Sequence, residues 1–188
     1  KGIELEFDSS WGTGALECPL VGDFNVDNLL TVIAVLLDWE IDLNTVIGVL
    51  GRVHAAPGRM ETFGGGRAPL AVVDYAHTPD ALRKALDAAR AHCTGRLVVV
   101  FGCGGDRDAG KRPLMGAVAA ELADDIVVTD DNPRTESPQA IVAQIVAGIV
   151  AQSPAKPYRV EHDRRLAIRE ALQHAREHDV VLIAGKGH

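Results

Sequence analysis

The sequence has few cysteines, few aromatic residues and no long apolar run, and these shortages exclude whole classes of protein. Its three cysteines, Cys18, Cys93 and Cys103, are odd in number and far apart, unlike the framework of a disulfide-rich secreted domain. It contains no signal peptide and no apolar stretch of roughly 18 residues, so secretion and membrane insertion have no support. We therefore expect a cytoplasmic protein.

Basic residues are also in the minority, with 19 Lys and Arg against 26 Asp and Glu and a formal net charge of −7. The chain has no basic stripe or polybasic tail to neutralise a run of phosphates, which excludes nucleic acids and anionic membranes as partners. The 188 residues, 47% of them hydrophobic, suffice for a buried core. We expect a monomer that binds small molecules. Because the chain begins at Lys1 without a methionine and stops directly after a glycine loop, we also expect a fragment of a longer polypeptide.

Residues 1–65 differ in pattern from the rest of the chain. Hydrophobic periodicity there predicts two strands, two helices and a further strand, at residues 3–7, 16–20, 26–37, 43–52 and 59–63. The glycine-rich segment 64–69 then interrupts the pattern, as a hinge or linker does. We place a domain boundary after residue 65.

Residues 66–188 alternate strictly between strand and helix patterns. The predicted strands are 70–73, 97–101, 126–129, 158–160 and 180–184, and the predicted helices between them are 79–92, 113–122, 138–151 and 164–177. Several strands are continuously apolar, as strands buried on both faces are. The order predicts an α/β fold with a mostly parallel sheet and helices on both faces.

Polar segments follow four of these strands, and the first is residues 74–80. Thr78 can cap a helix that carries Pro79 in its first turn. Asp74 at the strand end can accept two ribose hydroxyls, while His77 can meet a phosphate at the helix N-terminus. A capped turn with a solvated histidine explains the same residues, so both interpretations stay open.

The second polar segment, residues 102–113, is rich in glycine. Residues 105–112 match a Walker phosphate loop except at Arg112, which stands where a hydroxyl residue should hold magnesium. Pro113 also fits poorly with a helix that should begin at the lysine of such a loop. We prefer a flexible loop that lets Arg107 bind a carboxylate, over a phosphate loop or a loop whose charges face water.

The third polar segment, residues 130–136, combines acids, an amide, a proline and a guanidinium. Pro133 fixes its own φ and stiffens the segment. Arg134 can bind a carboxylate, and Asp131 and Asn132 can accept hydrogen bonds from an ammonium group. A turn that only caps the following helix is the alternative.

The fourth polar segment, residues 185–188, contains two glycines, and the absent side chain of Gly185 lets a ligand approach the backbone. Because parallel strands end at one edge of a sheet, we expect the last three segments to converge. Two arginines beside an Asp and an Asn favour an amino acid as the ligand, since a bare phosphate site would not need the acids. Upstream, Asn28 can bond a base edge and Arg59 a phosphate, although each residue taken singly can be structural.

Taken in order, the motifs of the chain resemble those of the Mur ligases, and most of all the members that add diaminopimelate. The resemblance implies peptidoglycan precursor synthesis, in which ATP and magnesium drive amide formation between meso-diaminopimelate and UDP-MurNAc-L-Ala-D-Glu through an acyl phosphate. It spans nearly the whole chain and rests on Asn25-x-x-Asn28, Gly58-Arg59-Met60-Glu61, Asp74-Tyr75-Ala76-His77-Thr78-Pro79, Gly104-Gly105-Asp106-Arg107-Asp108, Asp131-Asn132-Pro133-Arg134 and Ala184-Gly185-Lys186-Gly187-His188.

The resemblance also implies how the chain is organised. Residues 1–65 would be the rear part of a central ATP-binding domain, and residues 66–188 a C-terminal, Rossmann-like amino-acid-binding domain that is truncated at its C-terminus. It assigns no catalytic residue and no metal ligand here, because the family's phosphate loop and most of its magnesium site lie in other parts of the polypeptide. The fragment alone should therefore be inactive. The implied ATP contacts are Asn28, Arg59, Asp74 and His77, and the implied diaminopimelate contacts are Arg107, Asp131, Asn132, Pro133, Arg134 and Gly185.

In the family an arginine at the position of Arg134 accompanies diaminopimelate rather than lysine. The charges agree, because diaminopimelate has a second carboxylate, whereas a guanidinium facing the ammonium of lysine would be repelled. Two other functions stay open, namely an NTPase that uses residues 105–112 and a non-catalytic module that binds an amino acid.

Overall fold

The structure, a computed structural model, describes residues 2–186. They form two compact units, one ending at Ala56 and the other beginning at Pro57. This division lies nearer the N-terminus than the boundary expected after residue 65, because the strand in between pairs with the sheet of the second unit.

The first unit contains a β-hairpin and two helices. Strands β1 (Ile3–Ser9) and β2 (Gly12–Cys18) pair antiparallel. Helices α1 (Phe24–Asp38) and α2 (Leu43–Leu50) follow. The second strand begins before its predicted start because the tight hairpin sets Ser9 opposite Gly12. The core of this unit consists of Leu16, Cys18, Leu20, Leu29, Ile33, Leu37, Val46 and Leu50.

The second unit is built on a six-stranded sheet in the order β3-β4-β8-β5-β6-β7. Strand β3 is antiparallel to β4, and all the other neighbouring pairs are parallel. The predicted α/β fold with a mostly parallel sheet is therefore confirmed. The strands are β3 (Glu61–Gly64), β4 (Leu70–Asp74), β5 (Leu97–Phe101), β6 (Asp125–Val128), β7 (Tyr158–Val160) and β8 (Val180–Ala184).

Four helices cover the two faces of this sheet, α3 (Pro79–Arg90), α4 (Lys111–Leu122), α5 (Pro138–Gln152) and α6 (Arg164–His174). On one face, Ala167 and Ala171 of α6 pack on a cluster of strand residues that includes Val98, Val181 and Ile183. Successive strand residues point to opposite faces, so α3, α4 and α5, which pack in a row, cover the other face. After β7 the chain passes through α6 along that first face and then enters the sheet as β8, between β4 and β5.

Three helices of the second unit begin at capping side chains, those of Thr78, Ser137 and Asp163. Thr78 accepts a hydrogen bond from the N–H of Ala81, as predicted, and Ser137 caps α5 in the same way. Helix α4 begins at Lys111 rather than at Pro113, because a proline is tolerated in the first turn, where the N–H has no partner within the helix.

The glycine-rich segment 64–69 connects β3 to β4 inside the sheet, so its interpretation as a hinge or linker is wrong. Gly64 and Gly65 have φ values of 81° and 86°, which favour glycine, and the N–H of Gly65 donates to Pro69 O at 3.2 Å. Glycine-rich composition is common to linkers and tight turns, and only the pairing of the flanking strands distinguishes the two.

Helices α4 and α5 contact each other backbone to backbone. A Cβ added to Gly116 would fall on the carbonyl oxygen of Ile145, and a Cβ added to Gly148 on that of Pro113. These helices therefore pack this closely only because both positions lack a side chain.

We expect Gly148→Ala to lower the free energy of unfolding by about 1–3 kcal/mol, because the methyl group forces α5 away from α4. The matched control is Gly48→Ala in α2, where an added Cβ meets nothing within 4 Å. That change should raise the stability by about 0.5–1 kcal/mol, since alanine favours a helix interior. Urea unfolding followed by circular dichroism measures both, and an unchanged Gly148→Ala midpoint would contradict the close helix contact.

Candidate functional site

The carboxyl ends of β4, β8, β5 and β6 lie side by side at one edge of the sheet. Polar loops leave this edge at residues 74–78, 102–110 and 129–137, and after β8 at Gly185. Ligands of open α/β sheets bind beyond such an edge. Residues Gly187 and His188 of the fourth predicted segment lie outside the described residues.

Hydrogen bonds join these loops to one another. The N–H of Gly185 donates to Asp74 O at 3.1 Å. Lys111 Nζ, at the start of α4, donates to His77 O at 2.8 Å. Lys186 Nζ donates to Asn132 Oδ1 at 3.3 Å. The structure therefore brings the predicted polar segments of the second unit together.

Asp74 uses its carboxylate to fix the backbone around it. Its Oδ2 accepts from the N–H of Met60 at 2.9 Å, and its Oδ1 accepts from the N–H of Ala76 at 2.8 Å. Met60 has a φ of 50°, so the chain turns there rather than extending as the predicted strand 59–63 required. Each carboxylate oxygen retains a second lone pair that can accept from a ligand.

The turn at Met60 sets Arg59 over an aromatic side chain. The guanidinium carbon of Arg59 lies 4.9 Å from the centre of the Tyr75 ring. The rings of Tyr75 and His77 are also 4.9 Å apart, tilted by 58°. All three side chains are exposed. Tyr75 was not among the predicted site residues, although an aromatic residue directly after a buried strand indicates such a site.

Asn28 lies in the first unit, on an exposed part of α1. Its Nδ2 donates to Asn25 Oδ1 at 3.0 Å, and Asn25 Nδ2 in turn donates to Val21 O at 2.8 Å. Spacing of three residues on a helix brings the two amides together. The pair forms a local network that leaves Asn28 at the surface.

Arg134 lies across the backbone of the neighbouring loop. Its Nη1 donates to Gly105 O at 2.7 Å, and it lies 2.8 Å from where a Cβ of Gly104 would be. The N–H of Gly105 donates to Asn132 O at 2.9 Å. Arg134 is nevertheless exposed, so the remaining guanidinium N–H groups can bind a ligand.

Asp131 and Asn132 form a tight local turn beside the end of β8. Asp131 Oδ1 accepts from the N–H of Asn132 at 2.7 Å. Its Oδ2 receives no hydrogen bond from residues 2–186, and it lies 3.8 Å from where a Cβ of Gly185 would be. Gly185 has a φ of 98°, a conformation that favours glycine. Pro133 O accepts from the N–H of Glu136 at 3.1 Å, which closes the turn.

Arg107 is the least constrained of the predicted site residues. It is exposed and makes no hydrogen bond or ion pair within residues 2–186. Its neighbour Asp106 accepts from the N–H and Oγ1 of Thr135 at 3.1 and 2.7 Å, and these bonds lower the pKa of Asp106. The glycine loop is thus held by hydrogen bonds to the loop after β6 at the residue that precedes Arg107.

Hydrogen bonds in this loop also argue against the interpretation of residues 105–112 as a phosphate-binding loop. The N–H groups of Gly105 and Asp106, which would have to surround a phosphate, already donate to Asn132 O and to Glu136 Oε1. Arg112, at the position of the magnesium-binding hydroxyl, is fully buried. Helix α4 does begin at Lys111, as such a loop requires, but the lysine amine is bound to a backbone carbonyl.

One ion pair and one contact between a histidine and a carboxylate at this edge were not predicted. Arg112 Nη1 and Nη2 donate to Glu136 Oε2 and Oε1 at 2.8 and 2.7 Å. Asp130 Oδ1 lies 2.7 Å from His162 Nδ1. Both acids belong to the polar segment 130–136, but their partners are distant in sequence, so no local signal identifies them.

Arg164 also approaches the site without having been predicted. Its Nη2 donates to Ala184 O, the last carbonyl of β8, at 3.0 Å. Its Nη1 is buried without a hydrogen-bond partner in the described part of the chain. Burial lowers the pKa of Arg164, and the nearby Asp131 carboxylate acts in the opposite direction.

Within residues 2–186, no helix has the length and apolar character needed to cross a membrane.

The comparisons with known proteins agree with one another. A family model described as Mur ligase, glutamate ligase domain matches residues 58–187. Over its full length the chain is 51% identical to the UDP-N-acetylmuramoyl-L-alanyl-D-glutamate--2,6-diaminopimelate ligase of Vibrio cholerae, of which it covers 37%.

Two solved structures extend this similarity to the fold. One is a UDP-N-acetylmuramoyl-L-alanyl-D-glutamate--2,6-diaminopimelate ligase, with a TM-score of 0.70 and 42% identity over 98% of this chain and 37% of its own. The other is the UDP-N-acetylmuramate-alanine ligase of Thermotoga maritima, with a TM-score of 0.70 and 25% identity over 92% of this chain and 36% of its own. The chain thus spans little more than a third of the length of these relatives.

Because the pKa of Glu136 is lowered in the folded protein, we expect the free energy of unfolding to depend on pH in the acid range. Its bonds to Arg112 and to the N–H of Asp106 lower its pKa from 4.5 to about 2. Because the folded state favours the ionised carboxylate, the pair stabilises the protein above about pH 5, and this stabilisation is lost as the pH falls towards 2. The stability difference between the parent chain and Glu136→Gln should therefore shrink across this range. Urea midpoints of both proteins at pH 6 and pH 3 measure it, and a constant difference would contradict the assignment.

Proposed function

The chain belongs to the Mur ligase family, and we propose that it forms the amino-acid-binding part of a ligase that joins meso-diaminopimelate to UDP-MurNAc-L-Ala-D-Glu. The proposal rests first on the 51% identity to a 2,6-diaminopimelate ligase along the whole chain. The chain covers 37% of that relative, so the complete activity is proposed for the longer polypeptide.

The observation that carries the proposal is the position of Arg134. Its guanidinium is anchored on Gly105 O, is exposed, and follows directly on the turn that contains Asp131 and Asn132. A cation and a carboxylate on the same loop match the two charges of an amino acid group. Arg107, on the adjacent loop, is a second exposed cation with no partner among residues 2–186. Two cations suit a ligand with two carboxylates.

We assign the individual roles from these charges. Arg134 and Arg107 bind the two carboxylates of diaminopimelate, and the Asp131 Oδ2 accepts from an ammonium group. Asn132 adds an amide, and Pro133 holds the turn in shape. Gly185, which has no side chain, lets the ligand approach the end of β8.

We place ATP at the other end of this edge. Arg59 and His77 can bind phosphate oxygens, and the lone pairs left on Asp74 can accept from a ribose. The exposed cationic and aromatic surface of Arg59, Tyr75 and His77 fits an anionic ligand with flat rings. When bound, ATP supplies the phosphoryl group that activates a carboxyl, and magnesium, held by other parts of the polypeptide, neutralises its charge.

The part of this chain in the reaction is orientation of the nucleophile. An amine of diaminopimelate forms a C–N bond to the activated γ-carboxyl of glutamate, phosphate leaves, and the amine loses a proton. Holding both carboxylates of the amino acid fixes the direction of that amine, which converts a random encounter into a near-attack geometry. No described residue of this chain is assigned to the proton transfer.

The test of this function is Arg134→Ala in the full-length ligase. Loss of a desolvated carboxylate partner costs about 2–4 kcal/mol, so kcat/KM for diaminopimelate should fall by roughly 30- to 900-fold, with KM for ATP little changed. Discrimination against lysine should also weaken, because the repulsive guanidinium is gone.

The matched control is Arg59→Ala, which removes the same side chain at the proposed nucleotide end. It should raise KM for ATP more than KM for diaminopimelate. If Arg134→Ala affected both substrates equally, the assigned role would be wrong.

A further inference from the structure

Arg112 is a charged side chain with no exposure to solvent. It is the second residue of α4 and 0% exposed, in a helix that otherwise buries small and apolar side chains. An apolar residue of similar volume often serves folding as well as a buried ion pair does, so burial alone does not account for the charge. The role of this arginine should therefore be sought in what its guanidinium connects.

The guanidinium connects four parts of the fold. Its two terminal nitrogens bind both oxygens of Glu136 at 2.8 and 2.7 Å. Nη1 also donates to Gln144 Oε1 on α5 at 2.9 Å, and Nη2 donates to Gly104 O in the loop after β5 at 3.2 Å. A planar donor group with this many fixed bonds sets the distance between its partners.

Glu136 extends the connection to the other loop. Its Oε1 also accepts from the N–H of Asp106, at 2.6 Å. Asp106 directly precedes Arg107, and Glu136 comes two residues after Arg134. One carboxylate therefore fixes the backbone beside both of the exposed cations.

We propose that Arg112 and Glu136 are positioning residues, which set the spacing of Arg107 and Arg134 and thereby the recognition of the two carboxylates of the amino acid. The inference rests on the proposed function. The pair touches no substrate; it acts through the loops 102–110 and 130–136.

Breaking the pair should loosen the loops without separating them. The bonds of Asp106 to Thr135 and of Gly105 to Asn132 do not involve Arg112 or Glu136 and remain. The effect should therefore appear in the binding of diaminopimelate before it appears as unfolding. A misplacement of about 1 Å is enough to cost up to about a hundredfold in activity.

The test is Glu136→Gln in the full-length ligase, compared with Glu121→Gln. Glu121 also binds an arginine through both oxygens, with Arg83 Nη1 and Nη2 at 3.0 and 2.6 Å, but that pair joins α3 to α4 away from the loops. We expect Glu136→Gln to raise KM for diaminopimelate by roughly tenfold to a hundredfold and KM for ATP by less than about twofold. Glu121→Gln should leave both KM values unchanged.

A second variant covers the case in which Glu136→Gln does not fold. Gln144→Leu removes one bond of Arg112 at an exposed position and leaves the ion pair in place. It should shift KM for diaminopimelate in the same direction by a smaller factor.

The proposal would be overturned if these variants lowered the free energy of unfolding but left KM for diaminopimelate unchanged, or if they raised both KM values alike. The Arg134→Ala experiment separates this failure from a failure of the proposed function. If Arg134→Ala impairs the use of diaminopimelate but not of ATP, and Glu136→Gln does not show this selectivity, only the positioning role is wrong. If Arg134→Ala has no effect on diaminopimelate, the proposed function itself is wrong.

Discussion

The loops after β5 and β6 touch backbone to backbone, and the rest of the site depends on this contact. A Cβ on Gly102 would fall on the carbonyl of Thr129, and a Cβ on Gly105 on the carbonyl of Pro133. The same closeness continues into the helices that follow, where Gly116 and Gly148 face carbonyls of the opposite helix. The two backbones are thus in close contact at four glycines, from the strand ends to the middle of α4 and α5; these are Gly102, Gly105, Gly116 and Gly148. Because the two backbones lie this close, the side chain of Arg134 in one loop reaches the carbonyl of Gly105 in the other.

The polar groups beside this backbone contact fall into two sets, those bound to each other and those that keep free hydrogen-bonding groups. The groups of one set bind each other: Arg112 and Glu136 form an ion pair, and Asp106 accepts hydrogen bonds from Thr135. The other set keeps binding capacity, because Arg107 has no bond within residues 2–186 and Arg134 uses only part of its guanidinium. The buried charge of Arg112 is thereby paired, as burial demands, while Arg107 and Arg134 are exposed. The paired set thus fixes the loop backbone next to the exposed cations.

The sequence predicted the elements far better than their arrangement. Strands β5, β7 and β8 begin and end where the hydrophobic pattern predicts, and α5 begins at Pro138 after its serine cap. The pattern is local, and so are these features. The position of β8 between β4 and β5 is a long-range pairing that no local pattern contains. The segment 64–69 was misinterpreted for the same reason, since its role depends on which strands flank it.

The run Asp130 to Glu136 shows why site residues are harder to predict than elements. Its composition suggests one polar pocket, yet the side chains at its two ends contact other residues of the fold, Asp130 with His162 and Glu136 with Arg112. Within the described residues 2–186, the middle of the run keeps unpaired polar atoms, on Asp131 and Arg134. Residue types alone cannot separate these groups, because an aspartate at either position has the same chemistry and only a distant partner decides its use. A prediction of ligand contacts from sequence therefore has to identify first which acidic and basic side chains are already bound to other residues of the protein.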